Sequence, residues 1–386
     1  MSENSFKFRI STNMKYGTGE SGKLGEEIKV FGCKKIAAVV DQGVFDHPQV
    51  IKTINNVKGE GISLDVYKNT SIEPDYDYLD SFTEQLRDKG YEAIVAIGGG
   101  STLDLAKGVA TLLTNPGPGL DYRGFPDLAN NPLPLIAIPT TAGTGSEVTY
   151  NAVFTDSQQK KKLGINSFLN FPVLAIIDPL FTINAPQSVT VSAGADALVH
   201  TLESYVHKNH TVLSRMYSKE AFKLLFNNLW KVFDKPDDLE IRGSIALGAY
   251  LAGIALINAG SGPSGAFSYP LGAVYKVPHG YAGAMFISSI TKLNVENGYG
   301  DYTELYDLIE GANRDLPVEE KNKEFAVKLQ GLMDRLEVPR SLSIYGLSSK
   351  DIEFMIDQYD VLKAAIDQNP IEITKEDTRE IMNALT

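Results

Sequence analysis

The chain has 386 residues, enough for two domains that each bury a hydrophobic core. Its composition, 43% hydrophobic and 22% charged, is that of a globular protein, and its net charge of −12 argues against nucleic acid or an anionic membrane as a partner. The one cysteine excludes an intramolecular disulfide, and residues 1–10 contain no apolar signal core, so we expect a cytoplasmic protein.

The first half of the chain alternates short apolar runs with amphipathic stretches, a pattern that predicts a parallel α/β sheet. The expected strands are 7–10, 35–40, 63–66, 93–97, 133–138 and 173–177, with a hairpin at 152–156 and 162–165. The expected helices are 22–31, 46–58, 76–89 and 102–113.

After about residue 186, helical periodicity dominates. The predicted helices are 193–207, 213–230, 239–256, 278–295, 301–311, 319–336, 349–367 and 374–385. The uncharged run 244–260 fits a tightly packed core helix better than a membrane span. We therefore predict an α/β domain over residues 1–187 and an all-helical domain over 188–386, with a ligand site in the cleft between them.

Two glycine-rich loops follow predicted strands and have the character of phosphate cradles. In the first, Gly98-Gly99-Gly100-Ser101, backbone N–H groups at a helix start can bind an anion, with Ser101 as N-cap and Asp104 completing a capping box. The alternative is a tight turn that binds nothing. The second loop, residues 139–147, offers hydroxyls and flexible backbone for sugar and phosphate oxygens.

Two such loops in one α/β domain suggest a ligand with two phosphates, such as a dinucleotide. Asp41, at the end of an earlier strand, is placed to accept hydrogen bonds from a ribose diol. A carboxylate there repels a 2′-phosphate, which favours NAD(H) over NADP(H). The alternative for Asp41 is a turn residue before Gly43.

The segment 191–206 predicts a buried helix in which Asp196 and His200 share one face, four residues apart. Two interpretations stay open: a hydrogen-bonded buried pair, or two ligands of a divalent metal. His279 follows Pro278 at an expected helix start. His207 and His210 flank charged residues, and we expect them to be solvated.

Four motifs in order resemble the iron-containing, or group III, alcohol dehydrogenases over nearly the whole chain. They are GGGSTLDLAK (98–107), PTTAGTGSEVT (139–149), GADALVHTLESYV (194–206) and YPLGAVYKVPHG (269–280). The resemblance implies an N-terminal Rossmann-like domain with a parallel sheet and an all-α C-terminal domain, an architecture shared with dehydroquinate synthase. It also implies a nicotinamide cofactor and a divalent metal, iron or zinc, in the cleft.

Carried over by motif, the resemblance assigns functional residues to this chain. Its implied metal ligands are Asp196, His200 and His279. Its implied cofactor contacts are Gly99, Gly100, Ser101, Asp104, Thr140, Thr141 and Thr144, with Asn151 and Lys162 beside the nicotinamide ribose. Tyr269 and Lys162 are the candidate catalytic residues. Tyr269 could relay a proton or bond the substrate, and the alternative is a core tyrosine with a satisfied hydroxyl.

The chain departs from the family at two positions. A typical member has a further metal-binding histidine fourteen residues before the last one, and here that position is Gly265. A second histidine near the substrate is here Tyr269. Three protein ligands plus water or substrate still suit catalytic zinc, and two histidines with a carboxylate suit ferrous iron. Glu203, His207 or water are candidates for the vacant position.

The resulting hypothesis is a metal-dependent, NAD(P)-linked alcohol dehydrogenase or aldehyde reductase, with a polyol or sugar-derived compound among the possible substrates. Two alternatives stay open: a dehydroquinate synthase-like carbon–oxygen lyase that uses NAD transiently, and a non-catalytic NAD-binding relative. We expect a small-molecule substrate, no nucleic-acid or membrane partner, and a possible homodimer.

Overall fold

The computed structural model describes residues 5–159 and 161–385. The chain divides into two compact units. The α/β unit comprises residues 10–186 and 237–247, and the helical unit comprises the described residues of 1–9, 187–236 and 248–386. The division at Pro186–Gln187 lies beside the boundary expected from the sequence, but two short segments group with the opposite unit.

The α/β unit is built on a parallel sheet. Its strands are β1 Asn13–Tyr16, β2 Lys35–Asp41, β3 Ser63–Asn69, β4 Ala93–Gly98, β5 Leu135–Pro139 and β8 Leu174–Ile177, with β6 Asn151–Asp156 and β7 Lys161–Asn166 as a separate antiparallel hairpin. Its helices are α1 Leu24–Val30, α2 Pro48–Gly59, α3 Tyr76–Glu84 and α4 Gly100–Thr114. The predicted parallel α/β fold with a hairpin is confirmed.

Strand β2 shows why the sheet is buried on both faces. Successive side chains point to opposite sides of a strand. Ile36, Ala38 and Val40 accordingly lie in one hydrophobic cluster, while Ala37 and Val39 lie in another. Because both faces need apolar residues, the strand reads as a continuous hydrophobic run, as in other parallel sheets covered by helices.

The strand order places the end of β2, which carries Asp41, beside the end of β4, where the first glycine-rich loop begins. The order is β1-β8-β5-β4-β2-β3, so β3 pairs with one side of β2 and β4 with the other. Successive strands are therefore added on one side of β2 and then on the other. Ligands of α/β proteins bind at the carboxyl ends of the strands beside such a switch in strand order. Asp41 ends β2 and Gly98 ends β4.

The predicted strand at 7–10 is wrong, because these residues have no regular secondary structure and the first strand is β1. Both backbone groups of Arg9 bind the side-chain amide of Asn258: its N–H donates to Oδ1 at 2.7 Å, and its carbonyl accepts from Nδ2 at 2.9 Å. The ring of Phe8 stacks on Tyr217. These contacts attach the segment to the helical unit.

The helical unit confirms the predicted all-α architecture. Its helices are α5 Gln187–Val206, α6 Val212–Asn228, α7 Leu239–Ala259, α8 Pro263–Tyr275, α9 His279–Glu296, α10 Thr303–Tyr306, α11 Val318–Arg335, α12 Ser349–Asp357, α13 Tyr359–Ile366 and α14 Lys375–Asn383, of which the start of α7 groups with the α/β unit. Among the described helices, α7 alone is long and apolar enough to cross a membrane, but 67% of its most apolar window is buried, which is typical of a core helix.

Three helix predictions need correction. Helix α8 was not predicted, because Gly265, Gly272 and Pro270 all have low helix propensity. The segment 349–367 forms two helices that meet at Gln358. Periodicity does not reveal this break, because the apolar spacing continues unbroken across the junction. Only Thr303–Tyr306 of the predicted helix 301–311 is α-helical.

Asp178, directly after β8, generates the first prediction. Its buried carboxylate accepts hydrogen bonds from the N–H groups of Gly19, Ser21 and Leu180 at 3.1, 3.2 and 3.1 Å and from the Ser21 hydroxyl at 2.6 Å. Asp178→Ala should lower the free energy of unfolding by about 3 kcal/mol, because it leaves buried donors without an acceptor. Urea unfolding measures the loss. Replacement of the exposed Asp127 by alanine is the control, and an equal effect of both changes would contradict the assignment.

Candidate functional site

The structure brings Asp196, His200 and His279 together within the helical unit. Asp196 and His200 lie one turn apart on α5, and His279 is the first residue of α9, directly after Pro278. One potential ligand atom from each residue lies within 4.8 Å of the other two. The Asp196 and His200 side chains are buried, and the His279 side chain is about one-third exposed. The cluster is therefore accessible from one side.

The distances within this cluster suit a shared cation. Asp196 Oδ1 lies 3.7 Å from His200 Nε2 and 3.8 Å from His279 Nε2, beyond hydrogen-bonding range. Two ligand atoms each about 2.1 Å from one ion in tetrahedral geometry lie about 3.4 Å apart. The two separations that involve Asp196 exceed this value by only a few tenths of an ångström. One carboxylate and two imidazoles form a donor set that zinc and ferrous iron both accept.

An unsatisfied polar atom marks the same cluster. His200 Nδ1 is buried and has no hydrogen-bond partner among the residues that the structure describes. A buried polar atom without a partner costs free energy, and functional sites are where such costs are tolerated. The simple interpretation of Asp196 and His200 as a hydrogen-bonded core pair does not match this geometry, because 3.7 Å is too long for a hydrogen bond.

Gly265 lies on α8, in a tight contact with Glu203 of α5. The Glu203 carboxylate accepts hydrogen bonds from the N–H groups of Gly262, Ser264 and Gly265 and from the Ser261 hydroxyl. The three N–H groups belong to the N-cap residue Gly262 and the first turn of α8, so a carboxylate from another helix caps α8. Burial raises the pKa of Glu203, while these donors act in the opposite direction.

Among the described residues, neither Glu203 nor His207 belongs to the cluster of potential ligands. Glu203 is engaged by α8. The expectation that His207 is solvated is wrong: it is 4% exposed, and its Nδ1 accepts from the Asn209 N–H at 3.0 Å. Burial, with a smaller contribution from the charge of His210, lowers the pKa of His207 to about 4. The cluster thus has three protein ligands among the residues that the structure describes.

Tyr269 lies close to the cluster. It is on α8, it is 37% exposed, and the centroid of its ring lies 5.9 Å from that of His279 at a tilt of 55°. A phenol at this place can offer both a donor and an acceptor beside the three ligands.

The two glycine-rich loops of the α/β unit meet. Strands β4 and β5 are adjacent and parallel, and Gly98 pairs with Pro139 at their ends. A Cβ atom on Gly99 would lie 3.3 Å from Thr141 Oγ1, and one on Gly100 would lie 2.7 Å from Thr144 Oγ1. The second contact leaves no room for a side chain. Gly99, Gly100, Ser101, Thr141 and Thr144 are all partly exposed, whereas Thr140 is buried.

The predicted capping roles of Ser101 and Asp104 are wrong. Helix α4 begins at Gly100, its N-cap is Gly99, and no side chain caps it. Asp104 instead bridges the second loop and the hairpin: Oδ1 accepts from the Ser146 hydroxyl, and Oδ2 accepts from the Val153 N–H at 3.0 Å. The N–H groups at the start of α4 are therefore not used by a side-chain cap, which leaves them for a ligand.

Lys107 and Glu147 are the ionisable residues that sequence reasoning missed. Lys107 is fully buried on α4, and its ammonium donates to the Asn151 carbonyl at 2.7 Å and the Ser146 hydroxyl at 2.8 Å. Burial lowers the pKa of Lys107 and raises that of Glu147 to about 7. A lysine and a carboxylate inside otherwise apolar segments were the available signal, since charges are rarely buried without partners.

Asp41 adopts the turn that the sequence left as an alternative. Its Oδ1 accepts from the Gly43 N–H at 2.7 Å, and its Oδ2 accepts from the Thr102 hydroxyl at 3.1 Å. The second bond connects the end of β2 to α4. Each carboxylate oxygen retains a further lone pair, so the turn does not prevent Asp41 from binding a ribose diol.

Asn151 and Lys162 lie on the hairpin but are not opposite each other. Asn151 pairs with Asn166, whereas Lys162 pairs with Thr155. Four residues of strand separate the two positions, about 13 Å. The Lys162 ammonium lies 2.9 Å from Glu73 Oε1 and its side chain is 10% exposed. The structure therefore does not bring these two predicted ribose neighbours together.

Glu147 yields a prediction about pH. Its pKa in the folded chain, about 7, exceeds its ordinary value of 4.5, so the folded state retains this proton longer than the unfolded state. The contribution of Glu147 to the free energy of unfolding consequently falls as pH rises from about 4.5 to about 7. Glu147→Gln cannot titrate and should gain about 3 kcal/mol relative to the wild type across this window. Urea unfolding from pH 4.5 to 8 measures it, with the exposed Glu26→Gln as control. A constant difference across the window would contradict the prediction.

Gly265 yields a prediction about packing. A Cβ atom there would lie 2.1 Å from Ser261 Oγ and 3.1 Å from Glu203 Oε2. Gly265→Ala should therefore be destabilising by about 1–3 kcal/mol, despite the higher helix propensity of alanine. In a Ser261→Ala background the obstructing oxygen is gone and the same change should be close to neutral. A double-mutant cycle by urea unfolding measures the coupling, and additive effects would show that Ser261 does not restrict this position.

Comparisons with known proteins agree with this architecture. Residues 11–179 match the iron-containing alcohol dehydrogenase family, and residues 190–386 match its C-terminal domain family. The chain is 28% identical to the NAD-dependent methanol dehydrogenase of Bacillus methanolicus over 88% of this chain and 89% of that one.

Two solved structures are similar throughout. A crystal structure of 1,3-propanediol oxidoreductase aligns with a TM-score of 0.93 and 27% identity, covering 99% of this chain and 100% of that one. Sulfoacetaldehyde reductase from Bifidobacterium kashiwanohense, in complex with NAD+, aligns with a TM-score of 0.88 and 26% identity, covering 99% and 98%. The protein therefore belongs to the iron-containing alcohol dehydrogenase family and is an oxidoreductase acting on CH–OH groups.

Proposed function

We propose that this protein is a divalent-metal-dependent, NAD(H)-linked alcohol dehydrogenase or aldehyde reductase. The observation that carries the proposal is the convergence of Asp196, His200 and His279, with one potential ligand atom from each residue within 4.8 Å of the others. The carboxylate supplies negative charge, and the two imidazoles supply neutral nitrogen ligands. Zinc and iron are both compatible with this set.

The metal, when bound, acts as a Lewis acid that polarises the alcohol or carbonyl oxygen of the substrate. The protein residues then have separate tasks. Asp196 and His200 form the buried floor of the site, and the more exposed His279 borders its accessible side. Tyr269, beside His279, is placed to donate a hydrogen bond or relay a proton to the substrate oxygen.

The α/β unit supports the cofactor assignment. Gly99, Gly100 and Ser101 open α4 without a side-chain cap, and a pyrophosphate is the ligand that such a helix start accepts. Thr141 and Thr144 lie against these glycines and offer hydroxyls to the same ligand. Thr140 is buried and Asp104 bonds the second loop and the hairpin, so we assign both residues a role in holding the loops in place. A relative is named as NAD-dependent and a similar structure contains NAD+, which agrees with this assignment.

Asp41 favours NAD(H) over NADP(H), because its carboxylate accepts hydrogen bonds from a ribose diol and repels a 2′-phosphate. Asn151 and Lys162 remain our candidates for the nicotinamide side. The Glu73 partner of Lys162 keeps its ammonium in place and favours a role in fixing cofactor charge over one as a proton donor.

The substrate class follows from the two departures at positions 265 and 269. Glycine and tyrosine where the family has histidines make the pocket less basic, and we propose a neutral alcohol, diol, polyol or sugar-derived aldehyde. The relatives reported above are named for methanol, propanediol and sulfoacetaldehyde, so the family accepts varied small substrates.

His200→Ala tests the proposal. The variant should lose at least a hundredfold in alcohol-dependent NADH formation, because it removes one of three metal ligands, and metal content should fall from about one ion per chain. NADH binding should be retained, since the glycine-rich loops belong to the other unit. Absorbance at 340 nm across a panel of alcohols, elemental analysis and NADH fluorescence titration provide the three measurements.

His210→Ala serves as the matched control, because this histidine lies outside the cluster and bonds the His207 carbonyl. Unchanged turnover in His200→Ala would contradict the proposal. NADH binding without turnover of any alcohol or aldehyde in the wild type would favour the non-catalytic alternative, and phosphate elimination from a polyol phosphate would favour the lyase.

A further inference from the structure

Ser268 and His279 form a hydrogen bond whose direction can be deduced. Ser268 Oγ lies 2.6 Å from the Gly265 carbonyl oxygen and 3.3 Å from His279 Nδ1. A carbonyl only accepts, so the single hydroxyl proton of Ser268 is directed to Gly265. The serine oxygen can then only accept from the imidazole. Nδ1 of His279 therefore carries a proton.

This direction decides which nitrogen of His279 carries the ring lone pair. A neutral imidazole that is protonated on Nδ1 exposes its lone pair at Nε2. Nε2 is the atom that lies 3.8 Å from Asp196 Oδ1, in the cluster with His200. The hydrogen bond that His279 Nδ1–H donates to Ser268 thus selects the form of His279 that can serve as a ligand.

The acceptor that orients Ser268 is itself held in place. The N–H of Gly265 donates to the Glu203 carboxylate, and its carbonyl accepts from Ser268. Both hydrogen-bonding groups of this residue are therefore engaged, and Ser268 is 1% exposed. Water consequently has little access to compete for the serine hydroxyl or to reverse the bond.

We propose that Ser268 is a positioning residue that keeps His279 in the Nδ1–H tautomer and so presents Nε2 as a ligand. The inference rests on the proposed function for its consequence in metal binding, but the tautomer itself does not depend on a metal. Loss of the hydrogen bond that orients a ligand histidine typically lowers metal affinity by about 10- to 100-fold.

Ser264 provides a matched control on the same helix. It lies one turn before Ser268, it is equally buried, and within the described part of the chain its hydroxyl has no hydrogen-bond partner. Removal of the Ser264 hydroxyl takes the same atom from the same environment without affecting His279. Ser268→Thr is the conservative variant, since threonine can keep the bond to the carbonyl three residues earlier.

The first experiment is imidazole ¹⁵N NMR of the metal-free full chain at pH 8. The chain has five histidines, and the signal missing from His279→Asn identifies the one of interest. His279 should show the Nδ1–H form in the wild type, in Ser264→Ala and in Ser268→Thr. In Ser268→Ala it should shift towards the Nε2–H form. An Nε2–H signal in the wild type, or no change in Ser268→Ala, would overturn the inference.

The second experiment measures Zn²⁺ affinity by competition with a chromogenic chelator. Ser268→Ala should bind Zn²⁺ about 10- to 100-fold more weakly than the wild type, while Ser264→Ala should remain within about twofold. If His279→Asn loses affinity and Ser268→Ala does not, the proposed metal site stands and the inference fails. If the wild type binds no Zn²⁺ but the tautomer changes as expected, the proposed function fails and the role of Ser268 in fixing the tautomer stands.

Discussion

The buried carboxylate of Glu203 is the constraint that shapes the helical unit around the candidate site. A charge or a polar acid in this position must find partners, because burying it without them costs several kcal/mol. The first turn of α8 supplies those partners through three N–H groups and a hydroxyl. The contact joins α8 to α5, the helix that carries Asp196 and His200, and thereby sets where Gly265, Ser268 and Tyr269 lie.

This arrangement explains how the chain accommodates glycine at position 265. In the family pattern a histidine occupies this position as a further metal ligand. Here the space beside the backbone is filled by Ser261 and Glu203, so even a methyl group has no room. Glycine at this position therefore fits the packing of Ser261 and Glu203 around it. A site with three protein ligands leaves a coordination position for water or substrate, as in catalytic zinc centres.

A comparable buried charge organises the α/β unit. The Lys107 ammonium, on α4, donates to the Ser146 hydroxyl in the second glycine-rich loop and to the Asn151 carbonyl at the start of β6. Asp104, also on α4, accepts from the same Ser146 hydroxyl. Both units thus use one buried ionisable side chain to hold segments that are distant in sequence. Such groups can be costly for stability, but they restrict the backbone to one arrangement, which suits loops that must bind a ligand precisely.

The sequence alone determined the parallel sheet, most of the helices and the glycine-rich loops, because these follow from local periodicity and turn chemistry. The set of Asp196, His200 and His279 came from the resemblance to the family's motifs. It did not predict α8, whose glycines and proline disfavour a helix that Glu203 then stabilises from another element. It also misassigned Ser101, Asp104 and His207. Gly99 is the N-cap of α4 in place of Ser101, Asp104 accepts from Ser146 and Val153, and His207 accepts from Asn209. Only the tertiary structure decided these cases. The hydrogen-bond partners of buried polar groups depend on which segments lie close together in space, and local sequence spacing does not reveal these contacts.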